Sequence, residues 1–226
     1  MWPSLLSSIF PFVVATLAAN SAAHARFLAL GDSYTIGEGV TPAQRWPNQL
    51  VATLRKNGIA IADPEIVART GWTTDELAAA MDAHTFHPPY ALVALLIGVN
   101  NQYRGRDADN YRLEFHRLLE RAIALAGKQP QRVVVVSIPD WGITRFGADS
   151  GRDSAQIARE LDAYNSINAQ LTAALHAHYV DISEICRAGG GDADMLVADG
   201  LHPSAAQYKR WVEVILPQAR EALAAH

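Results

Sequence analysis

A chain of 226 residues, half of them hydrophobic, can bury one substantial core but not two. Its 19 lysines and arginines against 23 acidic residues leave a formal charge of -4, so no basic surface points to nucleic acid or an anionic membrane. The single cysteine, Cys186, excludes an intramolecular disulfide, a thiolate metal cluster and a redox pair, and reads as an inert thiol.

Taken in chain order, the first signal is the short apolar run Ile9 to Ala19, followed by Ala23-His24-Ala25, which has the form of an A-x-A cleavage site. Residues 1–25 therefore read as a signal peptide or disordered leader, with export to the periplasm or the extracellular space expected and a cytoplasmic protein the alternative. The run is shorter than the roughly 20 apolar residues of a membrane span and contains Pro11, so no stable membrane insertion is expected. From residue 26 to residue 226 short apolar runs alternate with helical periodicity, the pattern of strands joined by crossover helices. Phe27 to Leu30 is the first strand. A helix is expected from near Thr41, with Pro42 in its first turn and Trp46, Leu50 and Leu54 on one face, stopping at Gly58. Pro64 to Ala68 is a second strand, and Thr73-Thr74-Asp75-Glu76 has the spacing of a capping box opening a helix over Thr74 to Ala83.

The run Ala91 to Gly98 is apolar throughout, as a central parallel strand should be. Tyr111, Phe115, Leu118, Leu119, Ala122 and Leu125 recur at helical spacing. Arg132 to Ile138 is the next strand, and Asp140 to Asp153 a polar, glycine-containing loop. Ala155 to Ala177 is a helix with Ile157, Leu161, Tyr164, Ile167 and Leu171 facing inward, and Tyr179 to Ile182 a fifth strand. Gly189 to Gly191 marks a flexible loop, and Ala205 to Ala225 a final helix kinked at Pro217. The expected fold is a single three-layer α/β/α domain around a parallel, about five-stranded, flavodoxin-like sheet. In such a sheet the ligand sits beyond the carboxyl ends of the strands.

Ser33 follows the first strand and precedes the glycine-containing loop Tyr34 to Gly39, so its hydroxyl should emerge at that carboxyl edge. A serine hydroxyl is a weak nucleophile unless a base takes its proton. His202, between an irregular loop and the last helix, is the candidate base, and Asp199 stands one turn upstream, close enough to hold the imidazole tautomer that leaves the other nitrogen free. Gly71 after the second strand and Asn100 after the third can add a backbone N–H and a side-chain amide to the N–H of Ser33 as donors for a developing oxyanion.

Gly31-Asp32-Ser33, Gly71, Gly98-Val99-Asn100 and Asp199-Gly200-Leu201-His202-Pro203 resemble, in order, the four blocks of the GDSL/SGNH hydrolase superfamily. The likeness spans nearly the whole chain after Arg26. The first and last blocks are specific as a pair, whereas a lone glycine or a Gly-x-Asn carries little alone. The resemblance implies a serine esterase that cleaves a small-molecule ester through an acyl-enzyme on Ser33. His202 and Asp199 would complete the triad, and Ser33, Gly71 and Asn100 the oxyanion hole. No metal or organic cofactor is implied, and a monomer is expected. Gly98 to Gly105, with Ile138 to Gly142, is similar to the lysophospholipase-like branch, yet lysophospholipase, acetylesterase and thioesterase chemistry share these motifs. Tyr34 stands where the family pattern has leucine and Asn101 where it often has aspartate. Those two, with the loop aromatics Trp141 and Phe146, are candidates for the substrate pocket.

Alone, Ser33 and Asp199 would read as helix or turn caps, and Asn100 and Asn101 as turn residues. The ordered set reverses that preference, because capping requires no histidine after the aspartate and no asparagine at another strand end. His84 with His87, and His176 with His178, lack an acidic or cysteine ligand at metal spacing. Gly37-x-Gly39 lacks the third glycine of a dinucleotide fingerprint. The contrasting class is a ligand-binding protein that keeps the fold without turnover, which the chemically competent residues in all four blocks disfavour.

Overall fold

The computed structural model describes residues 25–224. The leader expected over residues 1–25 thus lies, but for Ala25, outside the described residues. Five parallel strands, β1 (Phe27–Gly31), β2 (Glu65–Ala68), β3 (Leu92–Leu96), β4 (Val133–Val136) and β5 (His178–Val180), form one sheet in the order β2-β1-β3-β4-β5. The three inner strands are buried at every position, whereas β2 and β5 at the edges are partly exposed. That is why the inner ones read as unbroken apolar runs: a parallel strand covered on both faces has no polar side to show.

Helices α2 (Trp46–Lys56) and α9 (Ala205–Ala224) pack together on one face of the sheet. Helices α3 (Thr74–Ala83), α5 (Ala108–Leu125) and α7 (Ser154–Ala174) cover the other. The capping box of α3 is present, with Glu76 Oε2 accepting the Thr73 N–H at 2.9 Å. Pro217 lies inside α9, which continues through it to Ala224. No helix among the described residues is long and apolar enough to cross a membrane.

Three expectations change. The helix placed from Thr41 is a 3₁₀ turn over Pro42–Gln44, an extended residue at Arg45 (φ -63°, ψ 143°), and then α2 starting at Trp46. Pro47 explains the break. Inside a continuous helix it would lack an N–H and clash with the preceding turn, whereas in the first turn of a new helix neither matters. The loops hold short helices that the apolar pattern does not announce: α1 (Ser33–Ile36), α4 (Val99–Tyr103), α6 (Arg145–Asp149) and α8 (Ser183–Arg187). The glycines expected to give a flexible loop serve close packing instead. A Cβ on Gly190 would lie 2.3 Å from the Cys186 carbonyl oxygen, and one on Gly191 2.2 Å from that of Ile143.

The order β2-β1-β3 reverses direction beside β1, where the chain leaves for opposite faces of the sheet and opens a crevice at the carboxyl ends. Ser33 follows β1, Gly71 follows β2 and Asn100 follows β3, so the topology alone brings all three to this crevice.

Candidate active site

The turn that carries Ser33 is tight. Gly31 ends β1 where a Cβ would lie 2.3 Å from Thr35 Oγ1 and 2.4 Å from the Leu96 carbonyl oxygen, so only glycine permits the strand to turn into α1 there. Asp32 caps α1 by accepting the Tyr34 N–H at 3.0 Å. Ser33 is buried apart from the face it turns to the cavity.

Asp32 is fully buried, and its Oδ2 has no hydrogen-bond partner among the described residues. Burial pushes its carboxyl up to about 7, against the partial relief of backbone hydrogen bonds at Tyr34 and at Asp32 itself. A carboxyl raised above its unfolded value of ~3.9 keeps its proton in the fold longer than in the unfolded chain. Stability is thus unpenalised below the unfolded value and declines as pH rises toward the folded one. In thermal melts Asp32→Asn should lose less stability than the parent between about pH 4 and pH 7. Parallel melting curves for the two proteins contradict a buried, proton-retaining Asp32.

His202 is held by its own loop. An antiparallel bridge between Leu196 and Pro203, with the Val197 N–H donating to the His202 carbonyl at 2.9 Å, closes the loop at its base. Asp199 Oδ1 accepts the N–H groups of Leu201 at 2.8 Å and His202 at 3.0 Å, and its Oδ2 lies 2.7 Å from His202 Nδ1. Burial works to raise the Asp199 carboxyl, but the hydrogen bonds from the His202 ring and from the two backbone groups outweigh it and hold the group below the usual carboxylate range. An ionised carboxylate only accepts, so a neutral imidazole here carries its proton on Nδ1 and keeps the Nε2 lone pair free. Gly200, at φ +71°, completes the turn. The Tyr34 ring packs against the imidazole with centroids 5.6 Å apart.

Gly71, at φ +88°, has its carbonyl held by Arg104 Nη2 at 2.6 Å. Asn100 Nδ2 donates one hydrogen to the Trp72 carbonyl at 2.9 Å, which fixes the amide beside Gly71 and leaves its second N–H uncommitted by that bond. Ser33, Gly71, Asn100 and His202 line one cavity of about 180 Å³, with Asp199 behind the histidine. Tyr34, Trp141 and Phe146 line it too. A larger depression of about 660 Å³ lies beside β5 and α7, but it is an open groove that holds neither the serine nor the histidine.

Asn101 does not reach the cavity. It is fully buried and spends its amide on Thr74, accepting the backbone N–H at 3.0 Å and donating to the hydroxyl at 2.6 Å. Successive residues on a helix differ by about 100° in direction, so when Asn100 on α4 faces the crevice Asn101 faces α3. Asn101→Ala should therefore lower the melting temperature by leaving the buried Thr74 N–H unsatisfied, a cost of about 1–3 kcal/mol, and differential scanning calorimetry reads it directly.

Tyr103, Val99, Thr70 and Leu201 also line the cavity. Tyr103 was legible in principle, because it stands one helical turn after Asn100, but only once α4 is known to be a helix. Arg104, which orients the Gly71 peptide, carries no sequence signal. His84 bonds Glu65 at 2.7 Å, and among the described residues no three His, Cys, Asp or Glu side chains come together as a metal-ligating group.

The model of the GDSL-like lipase/acylhydrolase family matches residues 29–210. A comparison with curated proteins found no match. Among solved structures the chain is similar to TesA, at 21% identity and a TM-score of 0.69 over 88% of this chain and 99% of that one. It is also similar to the psychrotrophic esterase EstA from Pseudoalteromonas sp., at 17% identity and a TM-score of 0.67 over 88% and 99% of the two chains. The acetylxylan esterase Axe2 from Geobacillus stearothermophilus aligns at 18% identity, with a TM-score of 0.65 over 86% and 94%. At these identities the likeness speaks for the fold.

Proposed function

We propose that this chain, which belongs to the GDSL-like lipase/acylhydrolase family and is a serine ester hydrolase, cleaves its ester in two steps through an acyl-enzyme on Ser33. The observation that carries the mechanism is the meeting of Ser33, Gly71, Asn100 and His202 on one small cavity, with Asp199 Oδ2 2.7 Å from the His202 ring. In the first step His202 Nε2 takes the proton of Ser33 as Oγ attacks the carbonyl carbon. Negative charge gathers on the carbonyl oxygen, and the N–H groups of Ser33 and Gly71 and the Asn100 amide receive it. Collapse expels the alcohol, which recovers its proton from His202. Water then adds to the acyl-enzyme with the same base, releasing the acid and restoring Ser33. The direct test is labelling with a fluorophosphonate: an activated serine is modified at Ser33 and the adduct is located by peptide mass analysis. An unlabelled Ser33 in folded protein contradicts this mechanism and favours a pocket that binds without turnover.

The amide of Asn100 acts on charge that exists mainly in the transition state. Asn100→Ala should lower kcat by roughly 10²–10³-fold with a smaller change in KM. Steady-state kinetics on one ester suffices, and an effect confined to KM removes Asn100 from the oxyanion hole.

Acid and chelators probe the same chemistry without mutation. An imidazolium cannot accept the proton of Ser33, so kcat/KM falls as histidine becomes protonated. EDTA leaves the rate unchanged, because no proposed step uses a cation. Activity that disappears with EDTA and returns with zinc overturns the serine mechanism.

A further inference from the structure

Trp141 faces the cavity while being almost fully buried. The groups that hold it form a closed ring. Its Nε1–H donates to Gln102 Oε1 at 2.8 Å, and Gln102 Nε2 donates to Glu160 Oε2 at 2.6 Å. The same Glu160 oxygen accepts from Arg152 Nη2 at 3.1 Å, and the Arg152 guanidinium returns to the Trp141 ring at 5.2 Å from its centroid. Arg152 also lies 5.9 Å from the Tyr103 centroid and donates to the Tyr103 carbonyl at 3.3 Å. Tyr103 and Phe146 pack against Trp141 at 5.4 and 6.0 Å, so these aromatics make one wall of the cavity.

A second recess of about 280 Å³ is lined by Gln102, Arg152 and Glu160, the members of the ring that grip Trp141. The residues that hold the wall thus line further space outside the cavity of about 180 Å³, and that space is at least as large. Pockets that enclose drug-sized ligands measure about 300–1,000 Å³, so the reacting cavity holds only a small group. Enlarging it means displacing Trp141, which strips a buried N–H of its acceptor and separates the ring from a cation stacked on it.

We propose that the Gln102–Glu160–Arg152 ring acts through Trp141 as a chain-length stop, admitting short acyl groups such as acetyl to butyryl and barring octanoyl and longer chains. This rests on the serine esterase reading, since it takes the cavity beside Ser33 as the acyl site. Gln102 and Arg152 touch the wall, Glu160 holds the two of them, and all three are positioning residues that do not touch the ester.

The test uses the full chain and nitrophenyl esters from acetate to decanoate, on wild type and on Arg152→Ala and Trp141→Phe. Trp141→Phe keeps a ring in the wall and gives up only the N–H anchor and some volume, so it guards against a variant that fails to fold. A misfitting methylene in an apolar pocket costs about tenfold or more in specificity, so wild-type kcat/KM should drop at least that much between butyrate and octanoate. Each variant should raise the octanoate-to-acetate ratio of kcat/KM about tenfold, chiefly through a lower KM for octanoate. General structural damage would instead lower both esters together and leave the ratio alone. The stop is overturned if wild type takes octanoate as readily as acetate, or if the ratio stays unmoved in both variants while their melting curves show folded protein. Absence of Ser33-dependent hydrolysis for every ester overturns the esterase reading itself, and the stop with it.

Discussion

Ser33→Ala should lower kcat/KM by roughly 10⁴-fold or more while the protein keeps its fold. The change removes one oxygen from the first residue of α1, and among the described residues no hydrogen bond that holds the turn uses that atom. The close approach at Gly31 and the Asp32 cap on the Tyr34 N–H both remain. Alanine is also a good helix former. His202→Ala should show a loss of the same order, because the nucleophile without its base is an ordinary alcohol. The two losses should not add. Once either partner is gone the other has nothing to act on, so the double variant should be about as slow as each single one. The measurement is kcat/KM on a short-chain ester with a melting curve for each protein. A folded Ser33→Ala variant that keeps most of its activity eliminates the mechanism.

Asp199→Asn should cost nearly as much, for a reason written into the loop. One oxygen of Asp199 accepts two backbone N–H groups and the other faces His202 Nδ1 at 2.7 Å. An asparagine in the same pose keeps its carbonyl oxygen on the two backbone donors, which turns its NH₂ toward Nδ1. A donor there requires Nδ1 to accept, so the ring proton moves to Nε2 and the base is blocked. A drop in kcat of roughly 10⁴-fold is expected from the corresponding change in serine triads. Because the backbone hydrogen bonds survive, the loop should hold its shape and KM should move little. A variant with near-normal kcat shows that Asp199 shapes the loop without setting the tautomer.

Much of this architecture lies within reach of single turns of chain, and there the sequence suffices. The bond from Glu76 back to Thr73 and the closure of Asp199 on Leu201 and His202 join residues only a few positions apart, so the residue types and their spacing display them. The inner strands are legible for a different reason: complete burial leaves Val133 to Val136 no polar side to show. The order of Ser33, Gly71, Asn100 and His202 along a strand–helix alternation then implies a shared edge, because parallel strands end together.

What the sequence leaves open is decided by contacts between distant segments. Asn100 and Asn101 are the same residue type at adjacent positions, and only the rotation of α4 against α3 assigns one to the cavity and the other to Thr74. Helices as short as α4, α6 and α8 form few hydrogen bonds of their own, too few to offset the cost of nucleation, so they exist because the surrounding fold holds them and local propensity is silent. Gly190 and Gly191 look like flexible chain until the Cys186 and Ile143 carbonyls are seen against them. Arg104 and Arg152 look like solvated charges. Their placement on Gly71 and Trp141 comes from side chains reaching across segments far apart in the chain, and no local pattern of residues records which backbone or ring a long cation will meet.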